Sequence, residues 1–250
     1  MGNRKNISWV VRLLVPLIMM LSAALVSAEG YRPPIAKLDG QVSASFPDDV
    51  SLNFKRFGTI EFWVAAKWDS LDYDPAIVSY LGNLGPRFAI LMPADKKGIA
   101  MMADQKWEVA PFDFSDGKLH HVAFIVIDSR TSVFVDDELV AILPIGIADL
   151  PAHSLSIGSF NGRDAGFVGV LAGLRIWDSA VDPDDIAAYK LVDLASQKGA
   201  EHPSLDTLVG TSDFAHGKVD FSLVDEPLSL YGPRELDDSD LPAPAALGSQ

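Results

Sequence analysis

The sequence predicts an all-β fold: two antiparallel sheets packed as a jelly-roll sandwich, one short helix after the last strand, and an irregular C-terminal extension. From Lys37 to about Ile176 the chain is a series of short apolar or alternating runs separated by Gly, Pro, Asn and Asp, which is typical of many short strands. Strand and helix patterns do not alternate, so a parallel nucleotide-binding sheet is not expected. One helix start is well marked, and it follows the last strand.

Alternation places the individual strands. Thr59–Ala65 has a wholly apolar face made by Ile60, Phe62 and Val64. His121–Ile127 is almost continuously apolar, which predicts a central strand covered on both faces.

The next two runs predict a hairpin, and a later run predicts the last strand. Thr131–Val135 and Glu138–Leu143 are separated by Asp136 and Asp137, which suit a tight turn. Phe167–Trp177 is the clearest strand, and strict alternation gives it one apolar face: Val168, Val170, Ala172, Leu174 and Ile176.

The helix start and the composition after it set the domain boundaries. Asp182 is a capping residue, Pro183 suits the first helical position, and Asp184 favours the positive end of the helix dipole. We therefore expect a domain over residues 31–190, a C-terminal extension over 191–231 that packs on the domain, and a mobile acidic and Pro/Ala-rich tail over 232–250.

The first 28 residues predict an export signal. Arg4, Lys5 and Arg12 precede the uncharged apolar stretch Leu13–Leu25, and Val26–Ala28 offers small residues before a cleavage point. The alternative is an uncleaved membrane anchor, although the stretch is shorter than the roughly 20 residues that span a bilayer. We expect an exported protein, periplasmic or extracellular, with no membrane-spanning segment in the mature chain.

Composition excludes several classes of function. The chain of 250 residues has a formal net charge of -14, which argues against nucleic acid as a partner because phosphate binding requires a basic surface. It contains no cysteine, so disulfides, thiolate metal sites and cysteine nucleophiles are excluded.

Several motifs occur in the order of a known family. Lys37–Gly40 (KLDG), Gly117–Ala123 (GKLHHVA), Val133–Val140 (VFVDDELV) and Leu174–Trp177 (LRIW) together resemble LamG-like domains of the concanavalin A-like lectin/glucanase group. Leu119 stands where the family has Trp. The resemblance covers residues 31–190 and implies a concave and a convex sheet.

The resemblance also raises the possibility of a structural calcium site. Many relatives hold a structural Ca²⁺ with the help of an acidic residue in the last strand, where this chain has Ala172 and Gly173. Asp39 of the early motif is kept as a possible ligand. Because calcium takes six to eight oxygen ligands, a site of the family type is doubtful here.

Three polar and aromatic loops are candidates for ligand binding. Aromatic rings can stack on the apolar faces of sugars, and carboxylates can accept hydrogen bonds from sugar hydroxyls. The alternative is that the acidic residues form a solvated turn, as acidic loops commonly do. The candidate residues are Trp68, Asp69, Asp72, Tyr73, Asp74, Trp107, Asn161, Arg163 and Asp164.

No catalytic constellation is recognisable. His120 and His121 point to opposite faces of a strand and have no carboxylate beside them in sequence, so we assign them to the scaffold. Hydrolytic relatives carry an E-x-D-x-x-E pattern that is absent here, and Glu61 is therefore expected to make a structural hydrogen bond.

Three functions remain open at this point. The leading prediction is a non-catalytic module that binds a glycan or an envelope or extracellular protein. The second is a structural or assembly protein that acts through its C-terminal extension. The third is a polysaccharide-active enzyme. The sequence leaves the oligomeric state open, and fold alone does not decide between these functions.

Overall fold

The computed structural model describes residues 35–41, 43–47, 56–152, 154–192, 203–213, 218–220 and 228–229. The predicted signal segment 1–28 and the tail 232–250 lie outside these residues. Within the described part of the chain, no helix has the length and apolar character needed to cross a membrane.

The described chain forms two antiparallel sheets, as predicted. The larger sheet has nine strands among the described residues, in the order β10-β9-β8-β3-β12-β13-β14-β15, with β1 also paired to β12. Its strands are β1 (Ile35–Asp39), β3 (Phe57–Ala66), β8 (His120–Ile127), β9 (Arg130–Val135), β10 (Glu138–Leu143), β12 (Val168–Trp177), β13 (Leu208–Asp213), β14 (Lys218–Asp220) and β15 (Leu228–Ser229).

The smaller sheet has six strands among the described residues, in the order β2-β11-β4-β5-β6-β7. Its strands are β2 (Ala44–Pro47), β4 (Ala76–Gly82), β5 (Gly85–Leu91), β6 (Gly98–Ala103), β7 (Lys106–Pro111) and β11 (Ser154–Ile157). Helix α1 (Pro183–Tyr189) follows β12, and a 3-10 turn covers Leu205–Thr207. This arrangement confirms the predicted jelly-roll sandwich.

The main core lies between the two sheets, where their inner faces meet. Ile60, Phe62 and Val64 of β3 are fully buried there, which confirms the apolar face predicted for that strand. Phe88 and Ile90 of β5 enter the same core from the smaller sheet.

Strand β12 departs from the strict alternation that the sequence suggested. A register shift between Ala172 and Arg175 coincides with Gly173 at φ +54°, a conformation that glycine adopts without strain. Before this bulge Leu171 faces the main core, whereas after it Leu174 does. The predicted single apolar face is therefore wrong, because an added residue reverses the facing of the strand.

The predicted helix and hairpin are confirmed. The Asp182 carboxylate accepts a hydrogen bond from Asp184 N at 2.9 Å, and Pro183 opens the helix. Asp136 and Asp137 form the two-residue turn between β9 and β10, both with positive φ. The extension predicted as irregular contains β13, which pairs with the end of β12.

Candidate functional site

The outer face of the smaller sheet carries an exposed tryptophan. In β7 the side chain of Ala110 is buried in the core, so Trp107 and Val109 point to the opposite side, where they are 37% and 39% exposed. Trp107 lies directly opposite Met102 of β6, which in turn lies opposite Ala89 of β5. These side chains therefore share one face of the sheet.

A loop after β11 covers part of the same face. Phe160 and Met102 both pack on the buried cluster of Ala76, Ala89 and Leu91. The loop is held from below by Ser79 of β4, whose buried hydroxyl donates to Ser159 O at 3.1 Å. We call the surface formed by Met102, Trp107, Val109 and Phe160 the aromatic face.

Asn161 shapes the polar end of this loop. Its Oδ1 accepts hydrogen bonds from the backbone N of Arg163 at 3.0 Å and of Asp164 at 2.8 Å. Its Nδ2 donates to Asp164 Oδ2 at 2.6 Å. Asn161, Arg163 and Asp164 are all exposed, so the loop presents a fixed set of polar groups beside the aromatic face.

Two of the three predicted candidate regions, Trp107 and the Asn161 loop, thus lie on the same face of the smaller sheet. Trp107 on β7 and the loop anchored on β4 are three strand spacings apart, which is about 14 Å. That span suits a ligand with both apolar and hydroxylated surfaces. The sequence missed Met102, Val109 and Phe160 as members of the face, although the alternation of β7 could have indicated Val109.

The third predicted loop is built differently. Trp68 is 5% exposed, its ring packs edge-on against Phe167 at 5.7 Å, and its Nε1 donates to Ala94 O at 2.9 Å. Trp68 therefore belongs to the core, and its ring is not available to stack on a ligand as predicted. Tyr73 OH donates to Gly166 O at 3.0 Å, which ties the loop to the start of β12.

The acidic residues of this third loop divide into two kinds. Asp74 Oδ1 accepts a hydrogen bond from Ala94 N at 2.8 Å, so it orders the neighbouring turn. Asp69 and Asp72 are exposed to solvent. Their predicted part in ligand binding stays a prediction.

Among the described residues, those at the family's calcium positions do not fit a calcium site. Asp39 Oδ1 accepts a hydrogen bond from Gln41 N at 3.0 Å. Ala172, at the position where relatives have an acidic residue, is buried in an apolar cluster with Ile35 and Val170. The described residues contain no group of three His, Cys, Asp or Glu side chains that could hold a metal ion.

Glu61 lies in a buried ionic network, and the structural hydrogen bond predicted for it is present. It is 1% exposed; Oε1 accepts from Arg175 Nη1 at 3.2 Å and from Trp177 Nε1 at 3.3 Å. His121 Nε2 lies 3.2 Å from Glu61 Oε2. Burial alone would raise the pKa of Glu61, but the neighbouring His121 and the charge of Arg175 outweigh it and lower the pKa.

The network also holds helix α1 on the outer face of the larger sheet. Arg175 Nη1 donates to Tyr189 O at 3.0 Å, and Nη2 donates to Val192 O. Tyr189 O also accepts a hydrogen bond from Val192 N at 2.9 Å, so Arg175 joins the last turn of the helix to the sheet. Glu61 is thus a scaffold residue.

His120 makes a separate bridge between two carboxylates. Its Nδ1 lies 2.6 Å from Asp136 Oδ2 and its Nε2 lies 3.1 Å from Asp116 Oδ1. No carboxylate lies beside this histidine in sequence, but the β9–β10 turn folds Asp136 back onto it. A neutral imidazole has one N–H and can serve one carboxylate, so this geometry favours the imidazolium.

The bridge predicts a pH-dependent stability. The hydrogen bond to Asp136, which outweighs burial, raises the pKa of His120 above the ordinary 6.5. The bridge therefore stabilises the fold fully below pH 6.5, and this stabilisation is lost as pH rises through the raised value. Urea unfolding is expected to give a larger free energy of unfolding at about pH 5.5 than at about pH 8.5.

The control for this prediction is His120→Gln, which cannot gain or lose the proton. The variant is expected to reduce the difference between the two pH values. An unchanged difference would show that another group is responsible.

Comparison with known proteins agrees with the observed fold. A laminin-G family model, described as the concanavalin A-like lectin/glucanases superfamily, matches residues 38–187. Comparison with curated protein sequences gave no match.

Solved structures show the same likeness at low identity. A Bacteroides ovatus ATCC 8483 protein, assigned provisionally to carbohydrate binding, is 14% identical with a TM-score of 0.56; the match covers 79% of this chain and 62% of that one. The chain thus spans less than two thirds of that protein. At this identity the likeness shows the fold alone.

Two further structures are similar with lower scores. The heptameric SAP-like pentraxin of Limulus polyphemus is 14% identical over 75% of this chain and 88% of its own, with a TM-score of 0.41. The receptor binding domain of botulinum neurotoxin C/D mosaic serotype is 13% identical over 67% of this chain and 48% of its own, with a TM-score of 0.49. Since the family model covers more than half of the sequence, the chain belongs to the concanavalin A-like lectin/glucanases superfamily.

Proposed function

We propose that the protein is a non-catalytic binding module that recognises a glycan through the aromatic face. The observation that carries the proposal is Trp107, a large aromatic side chain 37% exposed on a regular strand of the smaller sheet. It lies opposite Met102, which packs with Phe160 on the same buried cluster. An indole held on a rigid strand provides a flat apolar platform at little cost in conformational entropy.

The polar loop supplies the second half of a sugar site. Pyranose rings have apolar faces that stack on aromatic rings, and hydroxyls that need hydrogen-bond partners. Arg163 offers guanidinium donors and Asp164 offers carboxylate acceptors, and both are exposed. Because Asn161 fixes this loop through three hydrogen bonds, the loop backbone and the Asp164 carboxylate are oriented before a ligand arrives.

The comparisons support a binding role in coarse terms. The chain belongs to a superfamily of lectins and glucanases, and the similar Bacteroides ovatus protein is assigned provisionally to carbohydrate binding. Proteins that share a fold can bind different ligands, so we infer glycan binding from the residues of the site.

The residues favour glycan binding without hydrolysis. Glycoside hydrolysis normally uses two carboxylates that flank the scissile bond in a groove. Glu61 is closed off from solvent by Arg175, Trp177 and His121. We propose further that the chain is exported through its first 28 residues, to the periplasm or the exterior, where polysaccharides are accessible.

A glycan array tests the proposal. The protein is applied to the array once with calcium and once with a chelator. We expect binding to at least one glycan class, and we expect chelation to leave it unchanged because the residues do not fit a calcium site of the family type. Absence of binding to every glycan would overturn the proposal and favour assembly through the C-terminal extension.

A further inference from the structure

Strand β10 forms one edge of the larger sheet and is poorly protected. In the described sheet it pairs with β9 alone. Its sequence, ELVAIL, contains one charged residue and no proline. By contrast, the edge strand β7 of the smaller sheet, KWEVAP, contains Lys106, Glu108 and Pro111. Charges and prolines are the usual means by which edge strands avoid pairing with another chain.

A bulge gives β10 an unusual pattern of facing. The register shifts between Leu139 and Ala141, so that Leu139 lies opposite Phe134 and Ile142 lies opposite Ser132. Both leucine and isoleucine therefore point to the outer face, where they are 51% and 59% exposed.

The other four residues of β10 point to the inner side. Glu138 and Leu143 lie opposite Val135 and Thr131, both buried, and Val140 and Ala141 pack against the main core. The six positions therefore face inward, outward, inward, inward, outward and inward. This order is the same in both chain directions.

That symmetry identifies the partner. In an antiparallel pair related by a two-fold axis between positions 140 and 141, every inward residue meets an inward residue and every outward residue meets an outward one. Leu139 of each copy lies opposite Ile142 of the other, which forms two apolar cross-strand pairs. A regular six-residue strand paired about its centre would instead set inward residues against outward ones.

Like charges do not face each other across the contact. The two Glu138 carboxylates would lie at opposite ends of the paired strands, about 17 Å apart along them. Asp136 and Asp137, in the adjoining turn, are already paired with His120 and Lys190.

We propose that β10 pairs antiparallel with β10 of a second copy of this chain, so that the larger sheets of the two copies become continuous. The interface is isologous, as a two-fold dimer requires.

Sedimentation equilibrium of the protein without any glycan tests this inference. At about 100 μM we expect twice the chain mass, and we expect Leu139→Lys and Ile142→Lys each to weaken association by about tenfold or more. Both side chains are more than half exposed, so the variants should fold, which circular dichroism and thermal melting verify. Leu84→Lys is the control, since Leu84 is 69% exposed in the β4–β5 turn; it should remain dimeric.

Two results would overturn the inference. A wild-type monomer at that concentration would mean that the bulge protects the edge, as bulges at edges often do. A dimer unaffected by either lysine would place the interface on another surface. Neither result bears on glycan binding, which the array measures separately.

Discussion

Glu61→Ala is expected to lower the free energy of unfolding by about 3–5 kcal/mol, because it leaves a buried guanidinium without its counter-charge. Arg175 is 4% exposed, and its Nη1 donates to Glu61 Oε1 at 3.2 Å. The indole N–H of Trp177 would lose its acceptor on the same oxygen. Since Arg175 also binds the carbonyls at the end of α1, we expect that helix to loosen first.

Urea denaturation followed by circular dichroism measures this loss. Lys106→Ala provides the control, because Lys106 is exposed on β7 and its removal should change stability by no more than about 0.5 kcal/mol. A loss below about 1 kcal/mol for Glu61→Ala would contradict the assigned role of the network.

Gly166→Ala is the second substitution for which we expect a large effect. A Cβ atom at this position would lie 1.9 Å from Gly40 O and 2.6 Å from Gly40 C, and both atoms belong to the backbone. The turn after β1 would have to move, although it is held to this segment by the hydrogen bond from Gly40 N to Phe167 O at 3.0 Å. We expect a loss of about 3 kcal/mol.

Gly117→Ala separates this clash from the general cost of replacing glycine. Gly117 has φ +68°, and its nearest neighbour for a new Cβ is the flexible end of Lys67 at 3.7 Å. Gly117→Ala should therefore lower the free energy of unfolding by about 1 kcal/mol, from backbone strain alone. Equal losses for the two variants, measured by thermal melting and urea, would contradict the close approach of Gly166 to Gly40.

Local patterns were sufficient to predict much of the sandwich. Alternation placed β3, and the paired aspartates placed the turn between β9 and β10, because both depend on residues close in sequence. The bulge in β12 was not predicted, since Gly173 can take a positive φ but alternation does not show whether it does. The pairing of β13 with β12 was missed for a related reason: it joins segments separated by the helix.

The candidate site was predicted in part. Trp107 and the Asn161 loop were both named, but their meeting depends on the order of β4 to β7, which is set by long-range pairing. Trp68 was assigned to a ligand because a loop carries no alternation that would show its burial. The partners of His120 were missed because the turn at Asp136 brings one of them back from a distant position.

The measurement that tests the central claim most directly compares glycan affinity with and without Trp107. Isothermal titration with a glycan bound on the array is expected to show at least a tenfold weaker Kd for Trp107→Ala, because truncating a tryptophan that anchors a bound partner costs about 2 kcal/mol or more. Leu191→Ala, an exposed apolar change just after helix α1 on the larger sheet, should bind as the wild type does. Equal affinity of all three proteins would show that the glycan binds elsewhere and would contradict the aromatic face as the binding site.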